Sequence, residues 1–153
     1  MKISTRGRYG LRAIIDVAFY GTDTCVTTKN IAERNGLSEG YLEKLLSALK
    51  SAGFVKSVRG AQGGYALGRP AAEISVGDIL RALEGPMYPV DCLSSEDKHA
   101  RGTGAVCGTD CSLCVAKPVW EKIYNRLNDV MESISLADLV SDYTELQGSV
   151  INE

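Results

Sequence analysis

Residues 28–67, TKNIAERNGLSEGYLEKLLSALKSAGFVKSVRGAQGGYAL, decide the fold. Thr28 is placed to cap a short helix carrying Ile31 and Ala32, and Gly36 can close it in the left-handed conformation. Leu37 then points inward and Ser38 caps the next helix almost at once. That helix has Leu42, Leu45, Leu46 and Leu49 on its inward face, spaced by three and four, and Gly53 ends it. Two helices joined by a tight glycine-containing turn form a helix-turn-helix. Residues 54–58 and 65–67 read as strands on either side of Arg59-Gly60-Ala61-Gln62-Gly63-Gly64. A hairpin directly after a recognition helix is a wing. Its glycines allow close backbone approach to a partner, and Arg59 at its base is placed to enter a minor groove. A small helical bundle or a plain hairpin would account for each part separately. Their order, together with the charge described next, favours a winged helix-turn-helix.

Upstream, Leu11, Ile14, Ile15, Ala18 and Phe19 repeat as one buried face of a first helix over roughly residues 5–20. The net charge of −2 is unevenly spread. Residues 1–70 hold eleven Lys/Arg against five Asp/Glu, a net of +6, while residues 71–153 hold six against fourteen, a net of −8. A basic half fits a phosphate backbone, and the acidic half belongs away from it. Downstream, Ser75-Val76-Gly77-Asp78 resembles a capping box opening a fourth helix through Ile79, Leu80 and Leu83. Gly85, Pro86 and Pro89 break that helix. Residues 86–116 lack periodicity, and Pro118 suits the first turn of another helix. There Trp120, Ile123, Leu127, Val130 and Ile134 fall at alternating spacings of three and four, a coiled-coil seam. The preceding elements already close a core, so this seam is expected to pair two chains, with packing inside one chain as the competing reading. Ser135 to Asp138 caps a short final helix. The expected fold is mainly α with a small β-hairpin wing, a winged helix-turn-helix plus a long dimerisation helix. Its parts are a DNA-binding domain over 1–85, a cysteine-rich loop over 86–116, two helices over 117–145 and a frayed tail over 146–153.

No apolar run approaches the ~20 residues a membrane span needs. The basic opening lacks the apolar stretch of a signal peptide, so a reducing cytoplasm is expected. There, clustered cysteines more often bind metal or sense redox than form disulfides. Four of the five cysteines fall as Cys92-x14-Cys107-x3-Cys111-x2-Cys114. Thiolates at these spacings can converge on a four-thiolate zinc site or an iron–sulfur cluster. A metal-free thiol switch and unligated cysteines are the other readings. The absence of paired CxxC motifs leans toward iron–sulfur. His99, the single histidine, is a substitute ligand or merely solvated, and Cys25 reads as a small apolar filler. No nucleophile partners the histidine, and Gly60 to Gly64 lead into a strand rather than a helix, so no enzyme is expected.

Residues 1–9 (MKISTRGRY), 37–43 (LSEGYLE) and 57–65 (SVRGAQGGY) resemble the Rrf-type winged-helix transcriptional regulators, and the likeness runs to about residue 145. Within that family the cysteine loop resembles the iron–sulfur cluster regulators of the IscR type more than the CymR type, which does not rely on a cluster. The resemblance implies a homodimer on a double-stranded DNA operator, a [2Fe–2S] cofactor with zinc as the alternative, and control of iron–sulfur assembly genes. The alternatives are a CymR-like repressor governed by a partner enzyme or by thiol or zinc chemistry, and a cluster scaffold or carrier without regulatory DNA binding. The sequence departs from the family at one ligand. Counting back from Trp120, the place of the expected histidine falls on Lys117, and a protonated lysine is a poor ligand. The expected cluster ligands are therefore Cys92, Cys107, Cys111 and Cys114. The expected DNA-contacting residues are Arg8, Thr28, Ser38, Gly40, Tyr41, Glu43, Lys44, Arg59, Gly60 and Gly63.

Overall fold

The computed structural model describes residues 3–22, 24–94 and 114–150. The chain divides into two compact units, one of Ile3–Gly85 with Met131–Glu153 and the other built on Pro86–Val130. In the first unit, helices α1 (Thr5–Tyr20), α2 (Thr28–Asn35) and α3 (Glu39–Ser51) precede strands β1 (Val55–Val58) and β2 (Gly64–Leu67). Helix α4 (Val76–Glu84) follows after a short 3-10 turn at Ala71–Glu73. The strands pair antiparallel, with Val55 opposite Leu67 and Val58 opposite Gly64. Mainly α with a hairpin wing is the fold observed.

The helix-turn-helix forms as its sequence requires. Gly36 closes α2 at φ 64°, ψ 37°, the left-handed region that glycine enters without steric cost. Ser38 Oγ accepts the Tyr41 amide at 3.3 Å and caps α3. Leu42, Leu45, Leu46 and Leu49 are all buried. The cap of α2 is one residue earlier than expected. Thr27, extended at φ −69°, ψ 146°, accepts the Asn30 amide, and Thr28 is already helical. Two adjacent threonines offer the same hydroxyl, and only backbone geometry separates them.

Helix α1 buries Gly10, Ala13, Ile14, Val17 and Ala18, while Leu11 and Ile15 only flank the core. The stripe is rotated from the expected one because α4 crosses on small residues. A Cβ on Gly10 would lie 2.4 Å from Leu83 Cδ1. A pattern drawn from large apolar residues cannot register a face made of glycine.

The anticipated capping box on α4 is present, with Ser75 and Asp78 bonded reciprocally. Helix α5 (Lys117–Ser133) carries Pro118 in its first turn. It ends before Ile134, so the fifth seam position lies outside the helix. The Ile134 carbonyl instead accepts the Val76 amide at 2.9 Å, and the Leu136 amide donates to Ile74 at 2.8 Å. These bonds tie the chain after α5 to the first unit, where Leu136 is fully buried. Helix α6 (Leu136–Val150) is long rather than short and takes in residues assigned above to the tail. It is held by packing: Tyr143 meets Phe19 of α1 edge-on at 4.8 Å. In the second unit, a 3-10 turn at Asp91–Leu93 precedes α5, and Tyr88 stacks on Tyr124 at 5.2 Å.

Candidate nucleic-acid interface and cysteine cavity

At the start of α3, Ser38, Gly40, Glu43 and Lys44 are exposed. Glu43 makes no ion pair among the described residues, and Lys50 turns to the wing instead, donating to Ser57 Oγ at 2.8 Å. Tyr41 is half-buried against the core and meets Tyr9 edge-on at 6.4 Å, and Arg12 lies 5.9 Å from the Tyr9 ring. Thr28 is half-buried in the first turn of α2.

The wing is anchored at its root and tight at its tip. Val26 and Tyr65 exchange both backbone hydrogen bonds at 2.8 Å, which makes Val26 a one-residue third strand. This needs glycine beside it, since a Cβ on Gly64 would sit 2.2 Å from the Val26 carbonyl oxygen. At the tip, Gly60 takes φ 138°, and the Gly63 amide donates to its carbonyl at 3.0 Å. Arg59 and Gly60 are exposed and Gly63 is half-buried. Cys25 does more than fill space: its thiol donates to the Gln62 carbonyl at 3.0 Å, binding the wing tip to the segment before α2.

One basic residue of the N-terminal half, though partly exposed, is tied to a buried carboxylate. Arg34 grips the buried Asp16 carboxylate with Nε at 2.8 Å and Nη2 at 2.6 Å, and Asn35 Nδ2 adds a bond at 3.3 Å. Its guanidinium lies 4.0 Å over the Tyr20 ring. The hydrogen bond to Asp16 raises the Arg34 pKa against the opposing effect of burial. Hydrogen bonding to Tyr143, burial and the Tyr143 charge raise that of Tyr20. This cluster locks α2 to α1. The sequence signal for it is Asp16, a carboxylate on an otherwise apolar helix face. Arg8 lies exposed on the first turns of α1, with Nη2 reaching Thr5 Oγ1 at 3.4 Å.

Of the expected cluster ligands, Cys92 and Cys114 are brought to one cavity of about 440 Å³, lined also by Pro89, Val90, Asp91, Ala116 and Trp120. Both are half-buried free thiols. Cys107, Cys111 and His99 lie outside the described residues. Among the described residues no three His, Cys, Asp or Glu side chains converge as a metal site. Lys117 pairs with Glu121 at 3.9 Å on α5.

A helix-turn-helix braced by a third helix and followed by an anchored wing defines a winged-helix DNA-binding transcriptional regulator. The chain belongs to the Rrf2 family, described as iron-dependent transcriptional regulators, which it matches over residues 3–142. It is 43% identical over 145 residues to the HTH-type transcriptional regulator CymR of Bacillus subtilis, covering 95% of this chain and 93% of that one. It is 36% identical over 142 residues to the HTH-type transcriptional regulator IscR of Vibrio vulnificus, covering 93% and 79%. The solved structure of T. potens IscR matches with a TM-score of 0.73 at 43% identity, covering 96% of this chain and 91% of that one. Among the described residues no helix is long and apolar enough to cross a membrane.

Proposed function

We propose that the protein is a homodimeric, cytoplasmic regulator that senses an iron–sulfur cluster and binds a double-stranded DNA operator, with iron–sulfur assembly genes among its targets. The observation that carries this reading is the meeting of Cys92 and Cys114 at one cavity within the cysteine segment. The donor set suits the group: soft thiolates on a partly apolar pocket match a [2Fe–2S] cluster or zinc better than a hard cation. Cys92, Cys107, Cys111 and Cys114 would hold it, and a bound cluster would supply a redox-sensitive occupancy that the DNA-binding unit reads. Arg8, Thr28, Ser38, Gly40, Tyr41, Glu43, Lys44, Arg59, Gly60 and Gly63 form the proposed DNA face. Of these, Thr28, Tyr41 and Gly63 are half-buried and the others exposed. The dimer is proposed to form through α5, whose apolar residues stand open: Trp120 is 37%, Ile123 39% and Val130 57% exposed.

Similarity to CymR of Bacillus subtilis favours a second reading, in which zinc or free-thiol chemistry replaces the cluster. Anaerobic purification with an absorption spectrum and iron, sulfide and zinc analysis separates the two. Visible absorbance with iron and sulfide supports the cluster. A colourless protein holding zinc or no metal overturns it. Cys92→Ala and Cys114→Ala are each expected to abolish iron loading while leaving the helical circular dichroism intact.

A further inference from the structure

Glu84 closes α4, and its carboxylate reaches the first turn of α1, far earlier in the chain. Oε1 accepts the Ser4 hydroxyl at 2.5 Å and the Gly7 amide at 2.7 Å. Ser4 Oγ in turn accepts the Arg6 amide at 3.0 Å and the Gly7 amide at 3.4 Å. A helix start leaves such amides unsatisfied and carries partial positive charge, so a carboxylate there is doubly stabilised. The seat is tight: a Cβ on Gly7 would lie 2.4 Å from Glu84 Oε1. The glycine of the opening Ser4-Thr5-Arg6-Gly7-Arg8 thus has a partner, and the arginines on either side of it stand exposed with no acidic partner among the described residues.

We propose that Glu84 is a positioning residue for DNA binding, fixing the first turn of α1 so that Arg6 and Arg8 meet the phosphate backbone. This rests on the DNA-binding reading above and on the place of Arg8 in its interface. Simple electrostatics gives the opposite expectation, because deleting a carboxylate from a DNA-facing surface should tighten binding. Two effects of opposite sign make the residue's role measurable. Phosphate contacts fix register, and each contributes about 0.9 to the slope of log affinity against log salt. Releasing two contacts should therefore lower affinity by about tenfold at moderate salt and flatten the slope.

The test is a salt series of operator-duplex affinity for the full chain and its variants. Glu84→Gln keeps an acceptor oxygen for Ser4 and Gly7 and should match or exceed the unmodified protein, with the same slope. Glu84→Ala should bind more weakly with a shallower slope, although it removes a negative charge. Glu84→Asp keeps the charge but withdraws the oxygen by one methylene, and should follow Glu84→Ala. It preserves the test if the alanine variant fails to fold. In the Glu84→Ala background, replacing Arg6 and Arg8 with alanine should cost no more, since coupled sites are not additive. An unchanged slope in both Glu84→Ala and Glu84→Asp, or tighter binding by either, overturns the proposal. If the Arg6 and Arg8 replacements leave the slope of the otherwise unmodified protein unchanged, the interface reading fails first, and the proposal with it.

Discussion

Glu43 is a carboxylate exposed on a helix that is read as entering the major groove, where phosphates repel it. It is tolerated where a cytosine amino group donates to it, and it penalises sites lacking that donor. Glu43→Ala is expected to relax sequence preference more than it lowers affinity. Titrating a cytosine-containing site and a base-substituted one checks this: an affinity ratio equal to that of the unmodified protein would remove Glu43 from recognition. Arg59, exposed before the Gly60 turn, is placed for the minor groove, where a methyl cannot replace a guanidinium, so Arg59→Ala should weaken binding across operators in a duplex titration. Unchanged affinity would remove it from the interface. At this scale the sequence was legible where chemistry is local. Gly36, Ser38 and the four buried leucines of α3 each follow from spacing and capping preference. Thr27 was missed because Thr28 offers the same group, and Glu84 because its partners lie about eighty positions away. Arg34 counts toward the basic half by composition, and only the fold reveals that Asp16 pairs with it.

Helix starts dominate the element scale. Asp78 caps α4. Burial pushes its carboxyl up, but hydrogen bonds from Arg81 and Ser75 outweigh this and hold it below the usual 3.8. Asp138 caps α6 and is likewise held down by the Ser135 hydroxyl and amide. A carboxylate with a depressed folded-state pKa stabilises the fold fully above its unfolded value and ceases to do so as pH falls through the folded one. Both contributions should therefore be intact at neutral pH and fade below about pH 4. Melting temperatures between pH 7 and pH 2.5 should drop more steeply for the unmodified protein than for Asp78→Asn, and parallel curves would sink the idea. Ser75 caps the same helix and also donates to Glu132 Oε2 at 2.9 Å, with Arg81 bonded to that carboxylate's other oxygen. Ser75→Ala should cost about 1 kcal/mol, as a lost cap does, measurable by urea denaturation. Periodicity made α1, α3, α4 and α5 readable, and capping residues announced α2 and α6. The length of α6 was not readable, because contacts such as Tyr143 with Phe19 sustain it beyond the short span its cap announces.

At the scale of the whole molecule, the exposed stripe on α5 gives the proposed dimer its test. Leu127→Glu would bury an unpaired charge in the seam and should convert a dimer to a monomer by light scattering. A monomer for the unmodified protein would mean that the stripe serves another purpose. The charge asymmetry was legible from composition, whereas the division into units was not. The expected boundaries run in chain order, but the winged-helix unit is discontinuous, completed by Leu136, Val140 and Tyr143 after the cysteine segment and most of α5 have intervened. This arrangement bears on biosynthesis. A ribosome delivers residues in order, so a growing chain that has emerged only as far as Gly85 lacks the side chains that close its own core. The DNA-reading unit can be finished only once the four clustered cysteines are already outside the ribosome. Under the proposed function, the cysteines of a nascent chain leave the ribosome before the unit that would occupy an operator is complete.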